Sequence, residues 1–314
     1  MASNPTKSWR LPAPPGGLAN EFHKKLPGYS PTPLVSLPQI AQDIGVGAVF
    51  VKNEEQRFGL PSFKVLGASW ATFRALVCRF NLPSDCDIPA LRAALSAIPE
   101  PPTLLAATDG NHGRAVARMG AILGLPVRIF VPSKIYKSTV QNIKDEGAVV
   151  EFVNGSYDLA VKVAFQEAGK MTRGVLVQDT AFPGYEEIPR WVIEGYATML
   201  SEVDEQLTTQ VANLVIAPVG VGSFAQAVTS HYKVPGRETM VLTVEPDTAA
   251  CLYNSLVKGE PATLLTSVPT IMEGLNCETV SSNAWPVLMH GVDASLTVSD
   301  FEVHEACRIL ESMG

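Results

Sequence analysis

Several things are scarce in this sequence. There are only five cysteines, Cys78, Cys86, Cys251, Cys277 and Cys307, odd in number and scattered, with no CxxC pair. That pattern argues against a disulfide framework and against a structural zinc site. No metal is expected, and the cytoplasm is the expected compartment. No stretch reaches the roughly 18 consecutive apolar residues that a spanning helix needs. The opening MASNPTKSWRLPAPPGG holds no apolar core of signal-peptide type. Basic runs are absent too: Lys+Arg total 24 against Asp+Glu 31, a net charge of −7. Nucleic acid and a membrane are therefore not expected as partners. Internal repeats and low-complexity tracts are also missing.

What remains is a chain of 314 residues, 46% hydrophobic, with 24 glycines and 24 prolines. That length suffices for two compact lobes. Residues 1–33 are rich in Pro and Gly and show no period, which predicts an extended arm over the surface. Ala48–Lys52 reads as a strand and Lys64–Phe80 as a helix. Five prolines between 81 and 102 mark an elaborate connection with a short helical stretch.

A regular alternation follows. Strands are predicted at Leu104–Ala107, Val127–Val131, Ala148–Val153, Gly174–Val177, Asn213–Ala217, Met240–Val244 and Leu296–Val298. Helices are predicted at Asn111–Gly124, Lys137–Gly147, Ser156–Lys170, Pro189–Val203, Ser223–Tyr232 and Phe301–Met313. Strand–helix alternation implies an α/β fold with mostly parallel sheet. The strands are near-continuous apolar runs, as expected where helices cover both faces.

The string APVGVGSFAQAV links a predicted strand to a predicted helix. Gly220 and Gly222 permit close approach of the backbone. The amides of Val221, Gly222 and Ser223 then face outward at a helix start, a site for an anion such as phosphate. Gly220-Val-Gly-Ser-Phe-Ala225 also fits the dinucleotide pattern G-x-G-x-x-G/A. Glu245 stands 20 residues later, where a ribose-binding acid belongs. An NAD(P)-dependent oxidoreductase, a phosphate-bearing cofactor the size of pyridoxal phosphate (PLP), and a tight turn without ligand all fit this loop.

Ser62-Phe63-Lys64 precedes a helix. Desolvation and the positive helix end would both lower the pKa of Lys64. A neutral amine there can form a Schiff base with an aldehyde. Thr108-Asp109-Gly110-Asn111-His112-Gly113 gathers polar groups where a strand ends, and Asp109 or Asn111 could alternatively cap the helix. Val177-Gln178-Asp179-Thr180 lies just past another strand, where Asp179 reads equally as a cap or as an active-site carboxylate.

Together these blocks resemble the PLP-dependent tryptophan synthase β-like (fold type II) family. Within it they are similar to the diaminopropionate ammonia-lyases. The strings are YSPTPL (29–34), RFGLPSFKVLGASWA (57–71), AATDGNHGRAVA (106–117), VQDTAFPGYEEIPRWVIEGYATML (177–200) and APVGVGSF (217–224). The resemblance implies two lobes, each a mostly parallel sheet flanked by helices. The large lobe would comprise 1–66 and 183–314, and the small lobe 67–182.

It implies further that Lys64 holds PLP and moves protons. Gly220, Val221, Gly222 and Ser223 would hold the phosphate, and Asn111 the ring oxygen. Thr108, Asp109, Gly110 and His112 would meet the substrate. Asp109 would be the acid/base group on the face opposite Lys64, so that both D- and L-substrates could react. Asp179 would meet the substrate ammonium or transfer protons. The implied reaction is α,β-elimination of 2,3-diaminopropionate to pyruvate and ammonia, by a homodimer. A serine/threonine dehydratase-type ammonia-lyase is the nearest alternative.

Two departures stand out. Glu273, in Met272-Glu273-Gly274-Leu275-Asn276-Cys277, occupies a position where the family carries a small residue. The family's hydroxyl partner for the pyridine nitrogen lies in a C-terminal turn that this sequence does not contain. A truncated, inactive relative is therefore a further alternative, and no residue is assigned to that nitrogen.

Overall fold

The computed structural model describes residues 2–3, 9–12, 17–264 and 268–313. Parts of the expected N-terminal arm, at 1, 4–8 and 13–16, lie outside them.

The predicted alternation builds two separate sheets. Counted along the chain, the strands are β1 (Ala2–Ser3), β2 (Leu34–Ser36), β3 (Phe50–Lys52), β4 (Thr103–Ala107), β5 (Val127–Pro132), β6 (Val149–Val153), β7 (Gly174–Leu176), β8 (Leu214–Pro218), β9 (Met240–Pro246) and β10 (Ala294–Val298). One sheet has the order β6-β5-β4-β7, all parallel. The other runs β1-β10-β9-β8, with β8, β9 and β10 parallel and β1 antiparallel. The strand expected at Ala48–Lys52 is β3, and it joins neither sheet: it pairs antiparallel with β2.

In the first sheet the chain moves outward from β4 through β5 to β6, then returns to the other side of β4 as β7. The order therefore reverses between β4 and β7, and side chains at the carboxyl ends of those two strands face a common crevice. β4 is buried along its whole length. Leu104 and Ala106 enter the main core, while Leu105 and Ala107 join Phe130, Ala160, Ala164 and Leu176 on the opposite face. Burial on both faces explains the unbroken apolar run. β8 departs from that expectation, because Leu214 and Ile216 on one of its faces are 46% and 59% exposed.

Two long helices, Lys64–Arg79 and Glu187–Leu207, cross at a pair of glycines. A Cβ at Gly195 would lie 2.4 Å from the Leu66 carbonyl oxygen, and one at Gly67 would lie 2.6 Å from the Tyr196 ring. Only glycine at both positions permits this approach. It sets Lys64, at the start of one helix, close to Tyr196 in the other.

The N-terminal segment is not only an extended arm. Leu18–Lys24 forms a helix. Its Phe22 packs against Trp70 and Phe73, with ring centroids 5.4 and 4.7 Å away. His23 is fully buried between the Leu66 carbonyl and the Thr198 hydroxyl, at 3.0 and 2.7 Å. Burial pushes its pKa down to about 3, so the ring is neutral. This helix is too short to show a period, and contacts remote in sequence stabilise it.

Candidate active site

The carboxyl ends of β4, β7 and β8 open onto one cavity of about 330 Å3. Lys64, the Thr108–His112 loop, Asp179 and the Gly220–Ser223 loop all line it, together with Tyr157, Glu273 and Cys277. Residues from four distant stretches of sequence thus meet where the strand order predicts a ligand site.

Lys64 and Asp179 form an ion pair, Nζ to Oδ2, at 2.6 Å. The expectation of a lowered lysine pKa is overturned. Burial does work to lower it, but the Asp179 carboxylate and the Tyr196 oxygen outweigh burial and hold Lys64 well above its usual range. Burial likewise works to raise Asp179, and above all the Lys64 ammonium holds it well below the carboxylate range. Asp179 is therefore no helix cap. The Tyr157 hydroxyl donates to its other oxygen at 3.2 Å, and Gln178 ties the group together. Gln178 Nε2 donates to the Tyr157 hydroxyl at 2.7 Å, and its Oε1 accepts from the Ala107 amide at 2.9 Å. Phe63 anchors the lysine segment against Phe224 and Tyr196, with centroids 4.3 and 5.1 Å away.

The loop after β4 resolves the capping question differently from either alternative. Neither Asp109 nor Asn111 caps the Asn111–Leu123 helix. Thr108 holds the turn, its hydroxyl oxygen accepting from the amides of Gly110 and Gly113 at 2.8 and 3.0 Å. His112 is 4% exposed. Its Nε2 lies 2.9 Å from the Val177 carbonyl, an acceptor only, so that nitrogen carries the proton. Burial lowers its pKa, and Nδ1 is left as an unpartnered acceptor 3.8 Å from Asp179. Asn111 is exposed at the cavity wall. Asp109 is pushed up to about 7, first by burial and then by the negative charge of Glu273.

The glycine loop enters the Ser223–Tyr232 helix through Gly222 at φ 93°, the left-handed region. A Cβ at Gly220 would stand 2.9 Å from the Gly274 carbonyl oxygen. The first-turn amides of a helix have no intrahelical acceptor, and the helix dipole favours an anion there. Ser223 is buried at the cavity wall, its hydroxyl close to that of Tyr196. The donor set fits a phosphate, and the amine of Lys64 in the same cavity fits an aldehyde. These residues therefore fit PLP. The dinucleotide reading fails at Glu245, whose two oxygens accept from the amides of Leu252 and Tyr253 at 2.7 Å each. That carboxylate caps a helix and has no room for a ribose.

Residues 25–314 match the family model described as pyridoxal-phosphate dependent enzyme. This chain belongs to the pyridoxal-phosphate-dependent enzymes. Within them it belongs to the diaminopropionate ammonia-lyase family. It is 37% identical over 302 residues to the diaminopropionate ammonia-lyase of Salmonella typhimurium, covering 92% of this chain and 73% of that protein. The Escherichia coli diaminopropionate ammonia-lyase solved in complex with D-serine aligns with a TM-score of 0.85 at 32% identity. That match covers 95% of this chain and 76% of the other. The same enzyme in complex with an aminoacrylate-PLP azomethine reaction intermediate aligns with a TM-score of 0.82. The two-lobed α/β fold of type II PLP enzymes and PLP as cofactor are thereby shown, and the oxidoreductase alternative is set aside.

Sequence reasoning passed over other polar residues that stand at the cavity wall (Tyr157 and Cys277) or buried behind it (Gln178 and Tyr196). Tyr157, Gln178, Tyr196 and Cys277 surround the Lys64–Asp179 pair. Gln178 and Tyr196 lie within the QDTA and EGYAT strings, beside residues that did stand out. Tyr157 and Cys277 carry no local signal, because only the fold brings them to Lys64. Among the described residues no group of three or more His, Cys, Asp or Glu could hold a metal, and no helix is long and apolar enough to cross a membrane.

Proposed function

We propose that this protein catalyses PLP-dependent α,β-elimination of 2,3-diaminopropionate, taking up water and yielding pyruvate and two ammonia molecules. The observation that carries this reading is the gathering of Lys64, Asp109, Asp179 and the glycine loop around one cavity. Bound PLP would withdraw electrons from Cα and make its C–H bond acidic.

The protein's own residues would do the rest. Gly220, Val221, Gly222 and Ser223 bind the phosphate through backbone amides and one hydroxyl. Asn111 meets the ring oxygen. Lys64 bonds the cofactor and takes the Cα proton from one face. Asp109, with a pKa raised to about 7, is suited to exchange a proton near neutrality on the other face. A base on each face supports reaction of both D- and L-substrates. Asp179 keeps Lys64 oriented and charged until the amine is needed, and meets the substrate ammonium. Thr108 and Gly110 shape the turn that faces the substrate carboxylate, and His112 lines the cavity beside them. We propose also that the chain divides into lobes at 67 and 182, whose closure around the substrate would exclude water. We also propose a homodimer, checked by sedimentation. A cytoplasmic location fits the five free cysteines.

The test is a visible absorption spectrum of protein loaded with PLP, with pyruvate release assayed from diaminopropionate and from serine. The native protein should show a band above the protein absorbance and release pyruvate preferentially from the diamino acid. Lys64→Ala should lose the band and roughly 10^3-fold in rate. A band that survives unchanged in Lys64→Ala overturns the assignment of that residue.

A further inference from the structure

The charges around the cavity do not balance. Its two cations already have partners: Lys64 pairs with Asp179 at 2.6 Å, and Arg114 pairs with Glu146 at 3.0 Å. Two further carboxylates line the same space, Asp109 and Glu273. Neither has a hydrogen bond or ion pair to its side chain among the described residues. The cavity therefore holds two carboxyl groups beyond its internal pairs, Glu273 and an Asp109 that is partly protonated near neutrality and ionises when a cation enters.

The position of Glu273 is held by its backbone. It opens a single turn, Glu273–Leu275, whose Gly274 carbonyl abuts Gly220. The Leu275 amide closes that turn by donating to the Met272 carbonyl at 2.8 Å, and the buried Cys277 secures its far side. The backbone of Glu273 is thus held beside the glycine loop, from which its side chain lines the cavity. The buried Ser223 and the first-turn amides of the glycine loop independently form an anion site in the same cavity.

We propose that Glu273 is a specificity-determining residue which, with Asp109, selects substrates bearing an ammonium group on the β-carbon over hydroxy amino acids. The proposal deepens the elimination reading above and rests on it. A diamino acid brings one more positive charge than serine does. Once the α-amino group is committed to the cofactor, the β-ammonium is the cation left to be matched. Two carboxylates that repel each other are relieved when they share it. That the repulsion exists is seen in the raised pKa of Asp109, to which Glu273 contributes more than any other charge.

The same pair assists the chemistry. Carboxylates beside the β-nitrogen favour its protonated form. As the Cα–H electron pair becomes the Cα–Cβ double bond, the C–N pair leaves with nitrogen, and an ammonium departs as neutral ammonia. An unprotonated amine would have to leave as an amide anion.

The test measures binding apart from turnover. Isothermal calorimetry of 2,3-diaminopropionate and of serine is carried out on Lys64→Ala protein held in excess PLP, alone and combined with Glu273→Gln, Glu273→Ala or Glu273→Asp. The preference for diaminopropionate over serine should fall about tenfold with Gln or Ala and be retained with Asp, which keeps the charge. The ratio of kcat/KM values for the two substrates, in proteins that retain Lys64, should fall in parallel. A preference that is unchanged, or equal losses for both substrates, overturns the proposal while leaving the elimination reading intact. Should the native protein show no turnover of diaminopropionate at all, the elimination reading itself fails, and this proposal with it.

Discussion

Lys64 and Asp179, 115 residues apart, hold each other's charges in the centre of the cavity, Nζ to Oδ2 at 2.6 Å. Only a neutral amine attacks an aldehyde, so the pairing that keeps Lys64 protonated also restrains its capture of PLP. The relationship makes a prediction with a definite sign. In Asp179→Asn the favourable charge is gone, burial dominates, and the pKa of Lys64 falls. Capture of PLP by the apoprotein at neutral pH should then quicken by about tenfold, followed as the growth of the visible band. Steady-state elimination should fall by roughly 10^2-fold. A capture rate with unaltered pH dependence counts against the pairing.

Asp109 gives the second prediction. Its pKa is raised to about 7 by burial and by Glu273. If its carboxylate accepts a proton in turnover, the rate rises with pH through about 7. Removing the like charge in Glu273→Gln lowers that pKa, so the acid limb of the pH profile should move down by about one unit. A movement upward is incompatible with the assignment.

The third concerns the glycine loop. Gly222→Ala forces an L-residue to φ 93°, with its Cβ 3.1 Å from Ala284 and Leu288. The expected cost is about 1–3 kcal/mol of stability, together with weaker PLP binding. Ser223→Ala is expected to leave the melting temperature in place and to weaken PLP binding roughly fivefold, the worth of one hydrogen bond. Melting curves and PLP titrations distinguish the two effects.

The fourth lies outside the cavity. Glu202 is buried against Arg57 and Lys52, each at 2.7 Å, and accepts the Tyr29 hydroxyl at 3.0 Å. Burial works to raise its pKa, but the two cations lower it overall. Its contribution is present above the ordinary glutamate pKa and is lost as pH falls through the depressed folded value. Glu202→Ala leaves Arg57 with Glu54 as its one carboxylate among the described residues, and leaves Lys52 without one; it should cost about 3–5 kcal/mol. Measured from pH 7 to pH 3, the variant should lose less stability than the native chain does. Equal losses would remove Glu202 from that acid limb.

Much of the architecture could be read along the chain, and for an identifiable reason. Each residue from Thr103 to Ala107 is buried, because β4 has helices or neighbouring layers on both faces, and an unbroken apolar run is what such a strand requires. The Ser223–Tyr232 helix was legible because Gly222 can take the left-handed turn that opens it. Local rules of this kind also placed a phosphate-type loop after β8 and polar loops after β4 and β7. They determined the fold class, and the quoted strings pointed to the family.

Tertiary structure decided what no local rule reaches. The helix at Leu18–Lys24 exists because Phe22 finds Trp70 and Phe73. Glu245 stands where a ribose-binding acid would, yet the backbone that follows turns back and places two amides on its oxygens. The sequence neighbours of Lys64 argue for a neutral amine, through desolvation and helix position, yet the folded protein holds it charged. The deciding group, Asp179, lies in the loop past β7, 115 residues away in sequence. Propensity and periodicity act over a few residues and so appear in the sequence. The ionisation of a buried group depends on every charge within a few ångströms, and only the folded chain determines which charges those are.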